Sequence, residues 1–111
     1  MSLPLEISAA DALELRREAP RGLRVIDVRD PEEFAICRLE GAELVPLATV
    51  PHEALARFSD ADAPLLVYCH HGMRSLRAVE ILRNLGFPNA QSIAGGIEQW
   101  SIEIDPAVPR Y

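Results

Sequence analysis

Cysteine is scarce in this chain: Cys37 and Cys69 are its only two in 111 residues. With a core of adequate size available, two thiols do not make a disulfide framework, so each is expected to be free in a reducing compartment. Long apolar runs are lacking too. No stretch approaches the about 18 residues that a membrane span requires. The N-terminus lacks the basic segment and apolar core of a secretory signal, which makes the cytoplasm the expected location. Positive charge is in deficit, with 11 Lys and Arg against 17 Asp and Glu, a net charge of -6 and a pI near 5.0. That balance leaves no basic footprint for nucleic acid or an anionic membrane surface. Repeats, low-complexity segments and linkers are also missing. At 111 residues and 49% hydrophobic, the chain suits one compact core and is too short for two ordinary domains, so residues 1–111 are read as a single domain.

What is present alternates between strand-like and helix-like segments. Leu3 to Ile7 is strand-like, and Ser8 offers an N-cap, with Asp11 three residues on, for a helix through Ala19 that Pro20 and Gly22 stop. Leu23 to Val28 reads as a buried strand, and Asp30-Pro31 opens a short helix from Glu32 to Arg38. Ala42 to Leu47 is a third strand, placed at a sheet edge by Pro46, followed by a short helix after Pro51. Pro64 to Cys69 is an unbroken apolar run, the pattern of a strand buried on both faces. The next helix carries Leu76, Val79, Leu82 and Leu85 on one face and closes at Gly86 and Pro88. A weak strand from Ala90 to Ala94, a Gly95-Gly96 turn and a helix to Trp100 complete the pattern. Such alternation predicts an α/β fold with a mainly parallel central sheet of about five strands and helices on both faces.

Chemistry concentrates where the most apolar strand ends, in "VYCHHGMRS" (Val67 to Ser75). Ligands in open α/β sheets bind outside the carboxyl ends of the strands, and Cys69 is expected at that end of an interior strand. The helix that follows is expected to begin near Ser75. Its free first amides, and those of a tight loop, would face the sulfur and favour the thiolate, the nucleophilic form. Gly72 permits a backbone turn that gathers amides into an anion nest, and Arg74 adds a permanent cation.

"CHHGMRS", preceded by "VIDVRDPEEF" (Val25 to Phe34) and followed by "GGIEQW" (Gly95 to Trp100), resembles the single-domain rhodanese family of thiosulfate and persulfide sulfurtransferases. The resemblance covers nearly the whole chain in order and spacing. It implies the rhodanese-like fold, with Cys69 as the nucleophile that carries a sulfane sulfur as a persulfide. His70, His71, Gly72, Met73, Arg74 and Ser75 would form the substrate-binding cradle. Where the family usually has Gly-His-Ile-Pro-Gly-Ala, this chain has Cys37-Arg38-Leu39-Glu40-Gly41-Ala42, a change that bears on the rim of the site.

Other readings of the same residues are weaker. A cysteine phosphatase needs Cys-x5-Arg so that the loop wraps a phosphate and presents arginine to two of its oxygens. Here the spacing is Cys-x4-Arg, with Ser75 in that arginine's place, and the smaller ring suits the outer sulfur of a persulfide. A metal would have to draw on His70, His71, Cys37, Cys69 and the distant His52, too few for a recognisable ligand pattern, so no metal and no cofactor is implied. Cys37 lacks a nest or cation motif and reads as structural. Asp27 and Arg29, at a strand end, read as a structural ion pair with Glu33 as a candidate partner, and Trp100 reads as core. Two function classes follow: a sulfurtransferase with a small-molecule donor and a cyanide or thiol acceptor, or a module facing a protein donor or acceptor as a sulfur relay. An inactive interaction module would be expected to have lost the loop cysteine.

Overall fold

The computed structural model describes residues 3–111. Its elements, in chain order, are β1 (Glu6–Ile7), α1 (Ala9–Glu18), β2 (Arg24–Asp27), α2 (Pro31–Ile36), β3 (Glu43–Leu44), a 3-10 turn (Leu47–Thr49), α3 (Val50–Arg57), β4 (Leu65–Tyr68), α4 (Met73–Asn84), β5 (Ala90–Ile93) and α5 (Gly96–Glu103). The five strands form one sheet in the order β1-β5-β4-β2-β3, and every pairing is parallel. This is the expected α/β architecture, with β4 at its centre.

Side chains alternate across a strand, and β4 divides its side chains between two cores accordingly. Leu65, Val67 and Cys69 join Ile26, Val50, Ala78, Val79 and Leu82 on the face covered by α3 and α4. Leu66 and Tyr68 join Ala9, Ala12, Ile93, Ile97 and Trp100 on the face covered by α1 and α5. Because both faces are covered, all four residues of β4 are buried, which is why the run carries no polar alternation.

Local signals set most boundaries. The Ser8 hydroxyl accepts the Asp11 amide at 3.0 Å and caps α1. The Asp30 amide donates to Glu33 at 3.2 Å at the start of α2, where Pro31 needs no helical acceptor. Three expectations are corrected. The outer strands are shorter than the patterns over 3–7 and 42–47, because β1 and β3 lie at the two sheet edges and have one pairing neighbour each. The Val45 and Leu47 amides on either side of Pro46 still donate to the Asp27 and Val28 carbonyls at 2.8 and 3.1 Å, so the edge position tolerates the proline, and the chain then turns into the 3-10 segment. Helix α4 starts at Met73, two residues earlier than expected, with Gly72 as its cap at φ +108°. Its buried stripe is Ser75, Ala78, Val79 and Leu82, while Leu76 and Leu85 are half-buried.

The sheet order also positions the site. From β2 the chain moves outward to β3, and from β4 it moves the opposite way to β5, so the carboxyl ends of the paired strands β2 and β4 form a topological switch point. Cys69 follows β4 at that point, and α2 and α4 begin on either side of it.

Candidate active site

Cys69 is 1% exposed, and its sulfur lies in a cradle of backbone donors. The Gly72 amide donates to Sγ at 3.1 Å and the Ser75 amide at 3.3 Å, with the Ser75 hydroxyl 3.4 Å away. Ser75 itself is fixed, since its Oγ donates to the Gly72 carbonyl at 3.2 Å and shares a 2.7 Å hydrogen bond with Ser92 Oγ on β5. Met73, Arg74 and Ser75 form the first turn of α4, whose amides have no acceptor within the helix. The positive end of the helix dipole therefore lies at the sulfur, an arrangement that favours negative charge there.

A second helix holds the loop from behind. The Ile97 and Glu98 amides of α5 donate to the carbonyls of Cys69 and Cys69's neighbour His70 at 2.9 and 3.1 Å. These carbonyls are thereby turned to α5, leaving the loop's N–H groups to the sulfur. The approach is so close that a Cβ on Gly96, which has φ +62°, would lie 2.5 Å from both carbonyl oxygens. Gly96→Ala is therefore expected to lower stability by about 2–4 kcal/mol, combining overpacking with left-handed strain, and denaturant melts would check it. An unchanged midpoint would mean that α5 moves back without cost.

The rim is a chain of alternating charges. Arg74 makes a bidentate pair with Glu33 across the switch point, at 2.6 and 3.0 Å. The Tyr111 hydroxyl donates to Glu33 at 2.6 Å and accepts from Arg29 at 2.7 Å. Arg29, fully buried, donates through Nε and its second terminal nitrogen to the Asp27 carboxylate at 2.7–3.1 Å and also to the Cys37 carbonyl. Arg74 holds the Glu33 carboxyl down at about 2, helped by Tyr111 and the Asp30 amide against the effect of burial. Burial, with the Glu33 hydrogen bond, pushes Tyr111 up to about 12. Burial opposes the Arg29 cation, but hydrogen bonds to Asp27 and Tyr111 outweigh it and keep its pKa above the ordinary value. Glu33 and Arg29 therefore stay charged and Tyr111 stays neutral across the neutral range. His70 lies between His71 and Tyr111, stacked on them at ring separations of 3.9 and 4.0 Å. Burial first, and then the neighbouring His71, lowers its pKa and favours the neutral ring.

The structure thus brings Cys69, Gly72 and Ser75 together through direct contacts, with His70 and Arg74 at the rim. Met73 does not turn inward: its side chain is 80% exposed, so its place in the loop is a matter of its backbone. His71 is exposed beyond its stacking contact. Glu33, expected beside Asp27 and Arg29, instead pairs with Arg74, because α2 projects it across the switch point, and Tyr111 links it back to Arg29. Cys37 is a free thiol in the core on the α1 and α5 side, with Sγ 3.5 Å from the Pro109 carbonyl. Sequence reasoning missed Ser92, Gly96 and Tyr111 as parts of this site. A serine in the otherwise apolar stretch Ser92-Ile93-Ala94 was a usable signal. Among the described residues no group of three or more His, Cys, Asp or Glu is arranged to hold a metal. No helix among them is long and apolar enough to cross a membrane.

A parallel α/β domain with a thiol seated in a loop of amides at the end of its central strand defines a class of α/β proteins built around a loop cysteine. Residues 8–103 match the rhodanese-like domain, and the chain belongs to that family. It is 42% identical over 94 residues to "Thiosulfate sulfurtransferase GlpE" of Pseudomonas entomophila, covering 85% of this chain and 82% of that protein. It is 35% identical over 95 residues to "Probable adenylyltransferase/sulfurtransferase MoeZ" of Mycobacterium tuberculosis, where the match covers 85% of this chain but spans only about a quarter, 24%, of the relative. Among solved structures, the human single-domain sulfurtransferase TSTD1 superposes with a TM-score of 0.80 at 25% identity, covering 91% of this chain and 98% of that one.

Proposed function

We propose that this rhodanese-family enzyme is a single-domain sulfurtransferase that moves a sulfane sulfur from thiosulfate or a persulfide donor to cyanide or a thiol, through a persulfide on Cys69. The observation that carries the reading is the placement of Cys69 Sγ within 3.1–3.3 Å of the Gly72 and Ser75 amides at the positive end of α4. In the first half-reaction the Cys69 thiolate attacks the outer sulfur of thiosulfate. A new S–S bond forms, the old one breaks, and its electron pair leaves with sulfite. In the second, the acceptor attacks the outer sulfur of the persulfide and releases the thiolate. The preorganised amides favour the anionic sulfur at both stages without reorganising. A guanidinium has five N–H donors, and Glu33 engages Arg74 through two of its nitrogens, so the cation retains donors for a sulfonate. Both thiols are free, which suits work in the reducing cytoplasm.

A protein thiol is the second acceptor class. It draws support from the likeness to MoeZ, in which the matching segment is a minor part of a longer protein named for two transfer activities. Incubation with thiosulfate followed by intact mass measurement should add the mass of one sulfur atom, removed again by cyanide. No added mass at any thiosulfate concentration would sink the persulfide reading.

A further inference from the structure

Beyond the last residue of the family match, Glu103, the chain does not leave the site. The Ser101 hydroxyl donates to the Val108 carbonyl at 2.6 Å, the Cys37 thiol lies 3.5 Å from the Pro109 carbonyl, and Arg110 donates to Glu98 at 2.8 and 3.2 Å. These three ties bring Tyr111 back to the Cys69 loop. There it makes three contacts at once: its ring stacks on His70 at 4.0 Å with 9° between the planes, and its hydroxyl bridges Glu33 and Arg29. His70 is the first residue after Cys69, and Arg74, the partner of Glu33, precedes Ser75, whose amide meets Sγ. Tyr111 thus reaches the loop near both ends without touching the sulfur.

We propose that Tyr111 is a positioning residue for sulfur transfer, clamping the Cys69–Ser75 loop around the sulfur through its ring on His70 and its hydroxyl on Glu33. The role is defined within the sulfurtransferase reading above. The Asp30 amide and one Arg74 nitrogen hold Oε1 of Glu33, while Oε2 is held by the other Arg74 nitrogen and the Tyr111 hydroxyl, so the tyrosine supplies the second anchor of the oxygen that Asp30 does not reach and fixes the plane that receives both guanidinium N–H groups. The hydroxyl is in turn oriented by Arg29, whose position is set by the buried pair with Asp27. The loop geometry is thereby referred to the rigid end of β2, and loops held from a packed strand keep nucleophile and donors aligned.

The test is a double-mutant cycle on kcat/KM with thiosulfate and cyanide, each variant corrected for its folded fraction by thermal melting. Tyr111→Phe keeps the ring and should lower kcat/KM by about fivefold, whereas Tyr111→Ala should lower it by about 10–30-fold. In a Glu33→Ala background the Tyr111→Phe loss should shrink below about 1.5-fold, because the hydroxyl acts through that carboxylate. A residue with only a structural role would lower the melting temperature and leave kcat/KM per folded molecule unchanged, and that outcome overturns the proposal. Equal Tyr111→Phe losses in both backgrounds overturn it too. A readout independent of sulfur transfer is alkylation of Cys69 by iodoacetamide, followed by peptide mass. Cys69 is 1% exposed, so release of the clamp in Tyr111→Ala should speed it at least about threefold, and an unchanged rate rules the clamp out. If alkylation responds while the unmutated protein transfers no sulfur, the sulfurtransferase reading fails and the clamp stands.

Discussion

Cys69→Ser is expected to reduce sulfur transfer from thiosulfate to cyanide below about one thousandth of the unmutated rate, with the fold retained. The serine hydroxyl can occupy the same cradle, since the Gly72 and Ser75 amides donate to oxygen as readily as to sulfur. Folding is therefore not the issue. An alcohol neither ionises near neutral pH nor stores a sulfane sulfur, so both half-reactions lose their nucleophile. Cys37→Ser is the control. Its thiol faces the Pro109 carbonyl and lies 4.0 Å from an Arg29 nitrogen, away from the amide cradle, and a hydroxyl can donate to the same carbonyl. Most of the activity should survive. Steady-state thiocyanate formation by the two variants, with circular dichroism to confirm folding, decides the matter. If Cys37→Ser were inactive and folded while Cys69→Ser still turned over, the nucleophile would have been assigned to the wrong thiol.

The place of Cys69 was legible in the sequence because local chemistry sets it. The apolar run through Tyr68 fixed a buried strand, Gly72 permitted the turn, and a helix had to follow, so the sulfur's place at a strand end needed no tertiary information. The five-strand parallel sheet was legible for the same reason, since strand and helix periods alternate along the chain. What escaped was set by contacts between residues far apart in sequence. Glu33 lies next to Asp30 in a helix start and could have joined either arginine, and only the crossing of the switch point assigns it to Arg74. Tyr111 sits 78 residues from Glu33, at the end of a stretch with no periodic signal, so nothing local announced its return to the loop. The short β1 and β3 escaped too, because an edge strand's length depends on its one neighbour rather than on its own pattern.

Asp27→Ala should be the most damaging single change to stability, at about 3–5 kcal/mol, a large share of the ~5–15 kcal/mol that holds an ordinary domain together. Asp27 and Arg29 are both fully buried, and the carboxylate receives the Arg29 amide at 2.9 Å as well as the guanidinium contacts. Removing it leaves a cation in the interior with no counter-ion in direct contact, and Arg29 cannot shed its proton to escape the cost. The damage should spread to the site. Arg29 orients the Tyr111 hydroxyl and binds the Cys37 carbonyl, so a displaced guanidinium would loosen the tail together with the segment after α2. The double variant Asp27→Ala with Arg29→Leu separates lost charge balance from lost packing. It removes the stranded cation but also the tail contacts, and should recover about half of the stability lost in Asp27→Ala alone. Urea denaturation midpoints for the three proteins measure this directly. A double variant as unstable as Asp27→Ala would show that the hydrogen bonds to Tyr111 and Cys37, rather than the buried charge, are what Arg29 contributes to the fold.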